Sequence, residues 1–343
     1  MNNLRDKIIG MFLGVAIGDA LGMPVETFTF NRIEKDYGRI MTYLPPPATH
    51  KWYGGKLEAG MWTDDTQLTL AIAKSLTEKG DIDFDDIAAK HVLAMNDTTI
   101  GWGRSTLESV KRIESGVHWS KSGNPGGAGN GVAMKIAPIG AYMVTLIDEI
   151  YRNHSERREF SQMLNMCHGY VFDKINIIAK MTHNSALGCV SGVKWSFLIF
   201  GCLHQWSEES FLKNIQLKRR EEVADSGYNE MAGKLEYISN NLQELRSLSS
   251  EKLAQRFGDA SCYVVNSLPF SFACFIRNPR SIEALYDAVN AGGDTDSNAS
   301  MVGGLLGAFN GADIFPQHLI DGLWRKDEIL QVANDFCDKF EIR

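Results

Sequence analysis

Apolar side chains at Ile8, Ile9, Phe12, Leu13, Ala16, Ile17 and Ala20 follow a helical period and predict a helix over residues 4–21. Gly10, Gly14, Gly18 and Gly22 recur every fourth position on one face of it. Glycine weakens a helix by roughly 1 kcal/mol relative to alanine, so the stripe calls for the close approach of a second helix. Residues 27–61, with Pro45-Pro46-Pro47 and Gly54-Gly55, read as loop. Helical patterns then follow over 66–76, 85–95, 105–115, 132–146, 160–180, 185–204, 281–290 and 299–309, with no convincing alternating strand. The stretch 205–260, which carries KRREEVAD and SNNLQELRSLSSEKL, reads as a polar, solvated insertion between core helices. The pattern predicts an all-α, compact single domain over residues 1–343.

Composition narrows the classes. A chain of 343 residues with 44% apolar content can bury a large core, and a net charge of −7 argues against an electrostatic grip on nucleic acid or an anionic membrane. The longest apolar run, Ser185 to Leu203, carries Lys194 in its middle, so no uninterrupted stretch is expected to span a bilayer. The N-terminal MNNLRDK does not read as a secretory signal. Six cysteines without a CxxC pair then read as reduced thiols of a cytoplasmic protein.

Two acidic stretches stand out, Thr63-Asp64-Asp65-Thr66 and Gly292-Gly293-Asp294-Thr295-Asp296-Ser297. Each opens a predicted helix and packs two carboxylates with at least one hydroxyl into a few residues. Carboxylates held this close repel unless a cation or protons offset them, and an all-oxygen set suits magnesium or manganese better than zinc. For the first stretch the plainer reading is helix capping by Thr63 with acids in the first turn, which accounts for one acid better than for two. For the second, an EF-hand is rejected, because Ala299 and Leu305 stand where that loop needs glycine and a bidentate glutamate. Taken together the stretches point to a shared binuclear site, a common hydrolytic device.

Three further features bear on chemistry. The loop Gly126-Gly127-Ala128-Gly129-Asn130-Gly131 precedes a predicted helix, and such a loop presents backbone amides to a phosphate. It matches neither the Walker nor the Rossmann pattern and is equally compatible with an ordinary flexible loop. His183, at a helix start, is placed to donate to an anion, although a lone histidine is usually structural. Tyr53, Trp62 and Trp102 offer rings that could stack on a base, with core packing as the plainer reading.

The motifs GDALGMPVE (18–26), GMWTDDTQ (60–67), GNGVAMKIAPIG (129–140), THNSALG (182–188) and NAGGDTDSNASMVGGLLGA (290–308) resemble, in order, those of the ADP-ribosylglycohydrolases. That family includes the dinitrogenase-reductase-activating glycohydrolase and the ADP-ribosylarginine hydrolases. Residues 30–55 and 205–260 match it least. The resemblance implies an all-α fold and two divalent cations, Mg²⁺ or Mn²⁺, held by Thr63, Asp64, Asp65, Asp294, Asp296 and Ser297. It implies hydrolysis of the bond between the ADP-ribose C1″ carbon and a protein side chain, with Glu26 as general base or proton shuttle. By the same resemblance Asp97 would contact the acceptor or the opened sugar, and Gly127, Gly129, Asn130, Gly131 and His183 would hold the diphosphate.

The expected substrate is a protein carrying ADP-ribose, with arginine as acceptor, to which the serine at position 297 points. A serine- or O-acetyl-linked conjugate is the alternative acceptor. The role is either reversal of endogenous modification or immunity against an ADP-ribosylating toxin. A non-catalytic ADP-ribose-binding relative stays an alternative, although it would be expected to have lost ligands that are all present here, and a generic two-metal phosphoesterase is disfavoured by the lack of a histidine cluster.

Overall fold

The computed structural model describes the backbone of residues 3–153, 157–219 and 226–342, and their side chains except those of 148–168 and 226. The basic-acidic run 220–225 and the side chain of Cys167 therefore lie outside the described residues. Among the described residues the chain forms seventeen α-helices and no strand, only three isolated bridges. The fold is all-α.

Its axis is an antiparallel pair from opposite ends of the chain, Leu4–Gly22 and Thr295–Asn310. The glycine stripe is the contact surface. A Cβ placed on Gly14 would fall on the carbonyl of Gly303, one on Gly18 on that of Ala299, and one on Gly10 would lie 2.5 Å from the carbonyl carbon of Gly311. The two backbones touch with no side chain between them. Apart from the first turn and Ile9, the Leu4–Gly22 helix is buried all round, as expected of a helix at the centre of a bundle.

By length and composition, Leu4–Val25 and Ala186–Leu203 are apolar enough to cross a membrane, which the composition reading did not expect of the first. In the fold, 94% of the first window is buried inside the protein. Lys194 on the second reaches the carbonyls of Asn214 and Gln216 at 2.8 and 2.7 Å.

Most predicted helices form: Asp64–Lys79, Phe84–Asp97, Arg104–Glu114, Ala186–Leu203 and Glu283–Val289 are all present. Three stretches differ from the expectation. Residues 27–61 are not all loop, because Thr29 accepts from the Arg32 amide and starts the short helix Phe30–Tyr37 over buried Ile33. The helix expected from Val132 begins at Ala137, after a 3₁₀ turn Ala133–Lys135. Pro138 in its first turn suits that later start. The stretch 205–260 is more than a solvated insertion. It holds the helices Glu208–Ile215, Ser226–Asn240, Leu242–Ser247 and Ser250–Arg256, which bury Phe211, Met231, Leu235, Ile238 and Leu253.

Candidate metal centre and cleft

The central pair delivers the chemistry because its two ends of interest coincide. Gly22 at the end of one helix lies against Thr295 at the start of the other, whose hydroxyl donates to the Gly22 carbonyl at 2.8 Å. Beyond Gly22 the turn Met23–Val25 leads to Glu26. The next residues pair with the glycine turn: the Thr27 amide donates to the Gly293 carbonyl at 2.7 Å and the Gly293 amide to the Phe28 carbonyl at 3.0 Å. Gly292 and Gly293 have φ of 83° and 79°, a region in which a side chain is strained. Glu26 is thereby set beside Asp294 and Asp296, and one carboxylate oxygen from each of the three lies within 4.8 Å of the others.

The first acidic stretch reaches the same point through Asp19, a residue whose role the pattern alone did not disclose. Asp19, fully buried on the Leu4–Gly22 helix, accepts from the amide and hydroxyl of Thr63 and from the amide and hydroxyl of Thr66, all at 2.7–3.0 Å. It therefore caps the Asp64–Lys79 helix from outside. Thr63 occupies the N-cap position, yet its side chain caps nothing within its own helix. Because the Thr63 hydroxyl proton is committed to Asp19, the oxygen's lone pairs remain available. Asp64 and Asp65 do sit in the first turn, as the capping reading expected, but the Thr63 side chain makes no cap bond.

Asp64 lines a cleft of about 660 Å³ together with Glu26, Asp294, Asp296 and Ser297. Asp65 lies beneath, joined to the second stretch by the Ser297 hydroxyl, which donates to its Oδ2 at 3.2 Å. Its Oδ1 is buried with no hydrogen-bond partner in the protein. Burial pushes these acids up, Asp64 to about 7, Asp294 to about 6 and Glu26 to about 8, with Asp65 and Asp296 also raised, and repulsion between carboxylates adds to it at all but Asp294. An all-oxygen donor set, an orphaned carboxylate oxygen and charges that resist ionising side by side fit hard divalent cations.

The glycine loop forms another wall. Asn130 is not free to meet a ligand with its side chain, which donates to Asp294 Oδ2 at 2.5 Å and to Ser267 Oγ at 3.0 Å. Its backbone amide donates to the Cys262 carbonyl and that of Val264 to Ala128. The amides of Ala128, Gly129 and Gly131 have no partner among the described residues. The 3₁₀ turn separates the loop from the helix Ala137–Asn153, so any anion seat here rests on these amides rather than on that helix's dipole.

His183 packs directly under the loop, where a Cβ on Gly131 would lie 2.7 Å from its ring. Burial holds the ring neutral, with its pKa near 3. Its Nδ1 lies 3.0 Å from the Thr182 hydroxyl, which accepts at 3.2 Å from Lys135. The Thr182 proton is thus free to go to Nδ1, leaving Nε2 as the N–H toward the cleft. Lys135 is fully buried and lowered to about 7 by that burial, against the pull of Asp64. The sequence reading had passed over it.

Asp97 is not brought to this cleft. It ends the Phe84–Asp97 helix and lines a separate cavity of about 340 Å³, its Oδ2 3.4 Å from Arg325 Nη1. Trp62 and Trp102 are buried, with indole N–H groups taken by the Trp324 carbonyl and by Gln67, and Trp102 also lines the cleft.

Fold and site together define a class: a helical protein with an oxygen-only acidic centre at the foot of an amide-walled cleft. A family model described as ADP-ribosylglycohydrolase matches residues 1–343, and the chain belongs to that family, one of ADP-ribosyl hydrolases. It is 25% identical to the ADP-ribosyl-[dinitrogen reductase] glycohydrolase of Rhodospirillum rubrum, covering 95% of this chain and 93% of that one. It is 24% identical to the ADP-ribosylarginine hydrolase Tri1 of Pseudomonas putida, covering 97% and 78%. A solved structure titled ADP-ribosylglycohydrolase-related protein complex shares the fold, with a TM-score of 0.67 at 22% identity over 99% of both chains.

Proposed function

We propose that this protein hydrolyses the N-glycosidic bond between ADP-ribose and an arginine side chain of a modified protein, in the cytoplasm. The observation that carries the reading is the convergence of Asp64, Asp294, Asp296, Ser297 and Glu26 on one cleft walled by Gly129 and Gly131, with Asp65 joined to Ser297 beside it. The names of the relatives, one acting on ADP-ribosylated dinitrogen reductase and one on ADP-ribosylarginine, support the acceptor.

Thr63, Asp64, Asp65, Asp294, Asp296 and Ser297 would hold two Mg²⁺ or Mn²⁺ ions. Bound there, such ions would supply Lewis acidity to the ribose hydroxyls and to the attacking water. The protein's own groups do the rest. The amides of Gly129 and Gly131, with the Nε2–H of His183, would face the diphosphate, whereas the Gly127 amide is taken by the Asn124 carbonyl. Glu26, raised to about 8 by burial and by Asp294, is a group that can carry a proton near neutral pH. It takes the proton from water as oxygen adds to C1″ and passes it to the guanidine nitrogen as the C1″–N bond breaks. The flanking carboxylates favour the positive charge that builds on the ribose ring in this step. Asp97 enters no step.

The test is release of free ADP-ribose from arginine-, serine- and O-acetyl-linked conjugates with Mg²⁺, Mn²⁺ or EDTA. Release from the arginine conjugate alone, abolished by EDTA, is expected. Release from another conjugate changes the acceptor, and binding of ADP-ribose without any release overturns the catalytic reading.

A further inference from the structure

Tyr53 belongs to the stretch 30–55, the part of the chain least like the family in sequence, yet its side chain reaches the centre of the site. It is 1% exposed, and its hydroxyl donates to Glu26 Oε2 while lying 3.3 Å from Asp296 Oδ2. Among the described residues it is the one hydroxyl or amide that reaches the Glu26 carboxylate.

The phenol is held there by a stack that runs outward from the site. The Tyr53 ring lies 4.7 Å from the His50 ring at 14°, His50 packs on Phe28 at 5.4 Å, and the Arg32 guanidinium covers Phe28 at 3.4 Å. His50 is oriented by both of its nitrogens. Nδ1 faces the amides of Trp52 and Tyr53 at 3.4 and 3.3 Å, so Nε2 carries the proton and donates to the Glu26 carbonyl at 3.1 Å. The loop therefore grips Glu26 twice, by its main chain through His50 and by its side chain through Tyr53.

We infer that Tyr53 is a positioning residue of the cleft: its hydroxyl, set between the Glu26 and Asp296 carboxylates, fixes the proton-carrying acid relative to an acid of the metal-binding set. Two carboxylates side by side repel and swing apart unless a donor bridges them, and a phenol anchored by ring stacking does so without adding charge. This rests on the hydrolase reading for its kinetic consequence but not for its effect on cation binding. Groups that orient a ligand from behind typically change cation affinity by about 10–100-fold when removed.

Tyr53→Phe keeps the ring, the stack on His50 and the loop, and removes only the hydroxyl. Two readouts decide the inference. On the ADP-ribosyl-arginine conjugate, kcat is expected to fall at least about ten-fold with KM changed less than about two-fold. In calorimetric titration with Mn²⁺, in the absence of any substrate, the dissociation constant is expected to rise about ten-fold. A variant with wild-type kcat and wild-type Mn²⁺ affinity overturns the inference, as does one whose only change is in KM. If the wild-type protein releases ADP-ribose from no conjugate, the hydrolase reading fails by itself, and the Mn²⁺ titration alone decides on Tyr53, an unchanged constant refuting it.

Discussion

Asp64 and Asp296 line one cleft from opposite halves of the chain, and their substitution is the sharpest test of the cation assignment. Asp64→Ala or Asp296→Ala is expected to reduce ADP-ribose release by at least about 10³-fold while the far-UV circular dichroism stays helical; wild-type turnover by both variants would sink the assignment. Asp19 and Asn130 act one step back. Asp19→Ala leaves four donors at the start of the Asp64–Lys79 helix without an acceptor. It is expected to destabilise the protein by about 3 kcal/mol or more, as buried unpaired donors do, read from denaturant unfolding. Asn130→Ala frees Asp294 to move and is expected to weaken Mn²⁺ binding about ten-fold with little change in melting temperature. An unchanged titration would show the clamp to be incidental.

At the scale of elements, the Leu4–Gly22 and Thr295–Asn310 helices carry the design, and both were legible. The glycines at every fourth position announced a close helix partner, and the paired TDDT and GGDTDS strings announced a cluster of buried carboxylates. Position within a motif did not reveal what each side chain touches. Asn130 looked like a phosphate contact because of its loop, but the structure spends its amide on Asp294, 164 residues away. Tyr53 could only be read as a possible ring for stacking, because its contact with Asp296 spans 243 residues and belongs to no periodic pattern. Lys135 was hidden for a different reason: a lysine inside an apolar run reads as surface unless its burial is known. The helices within 205–260 were missed because a short amphipathic helix with one buried face is mostly polar in composition. Gly14→Leu tests the central contact. Its side chain would collide with the Gly303 backbone, which cannot move as a side-chain tip can. Destabilisation of at least about 3 kcal/mol is expected, with loss of cation binding, whereas the same change at Gly38, which meets nothing within 4 Å, tests only backbone strain.

For the molecule as a whole, the acidic centre is expected to make stability depend on both pH and divalent cations. The folded protein holds Glu26 at about 8, Asp64 at about 7 and Asp294 at about 6, against ordinary values of 4.5, 3.8 and 3.8. Between those ordinary values and about pH 8 the folded state binds more protons than the unfolded one, so its stability is fullest below about pH 4 for these groups and falls as pH rises. In EDTA the melting temperature is expected to decline between about pH 5 and 8. Saturating Mn²⁺ should flatten that decline and raise the melting point most at the alkaline end, by about 2.7 kcal/mol in free energy at one hundred times the dissociation constant. A melting curve in EDTA that is flat across this range would contradict the burial of unpaired acids.

The antiparallel central pair also has a consequence in time. One member is made well before the other, since Leu4–Gly22 precedes Thr295–Asn310 along the chain. At about 5–20 residues per second, the ribosome delivers that partner roughly 15–60 s after the first helix has emerged. During this interval an apolar helix with a bare glycine face has no native surface to cover it. Until then the two halves of the acidic cluster are apart. The site comes into being as a single event, when the Thr295–Asn310 helix closes on Leu4–Gly22.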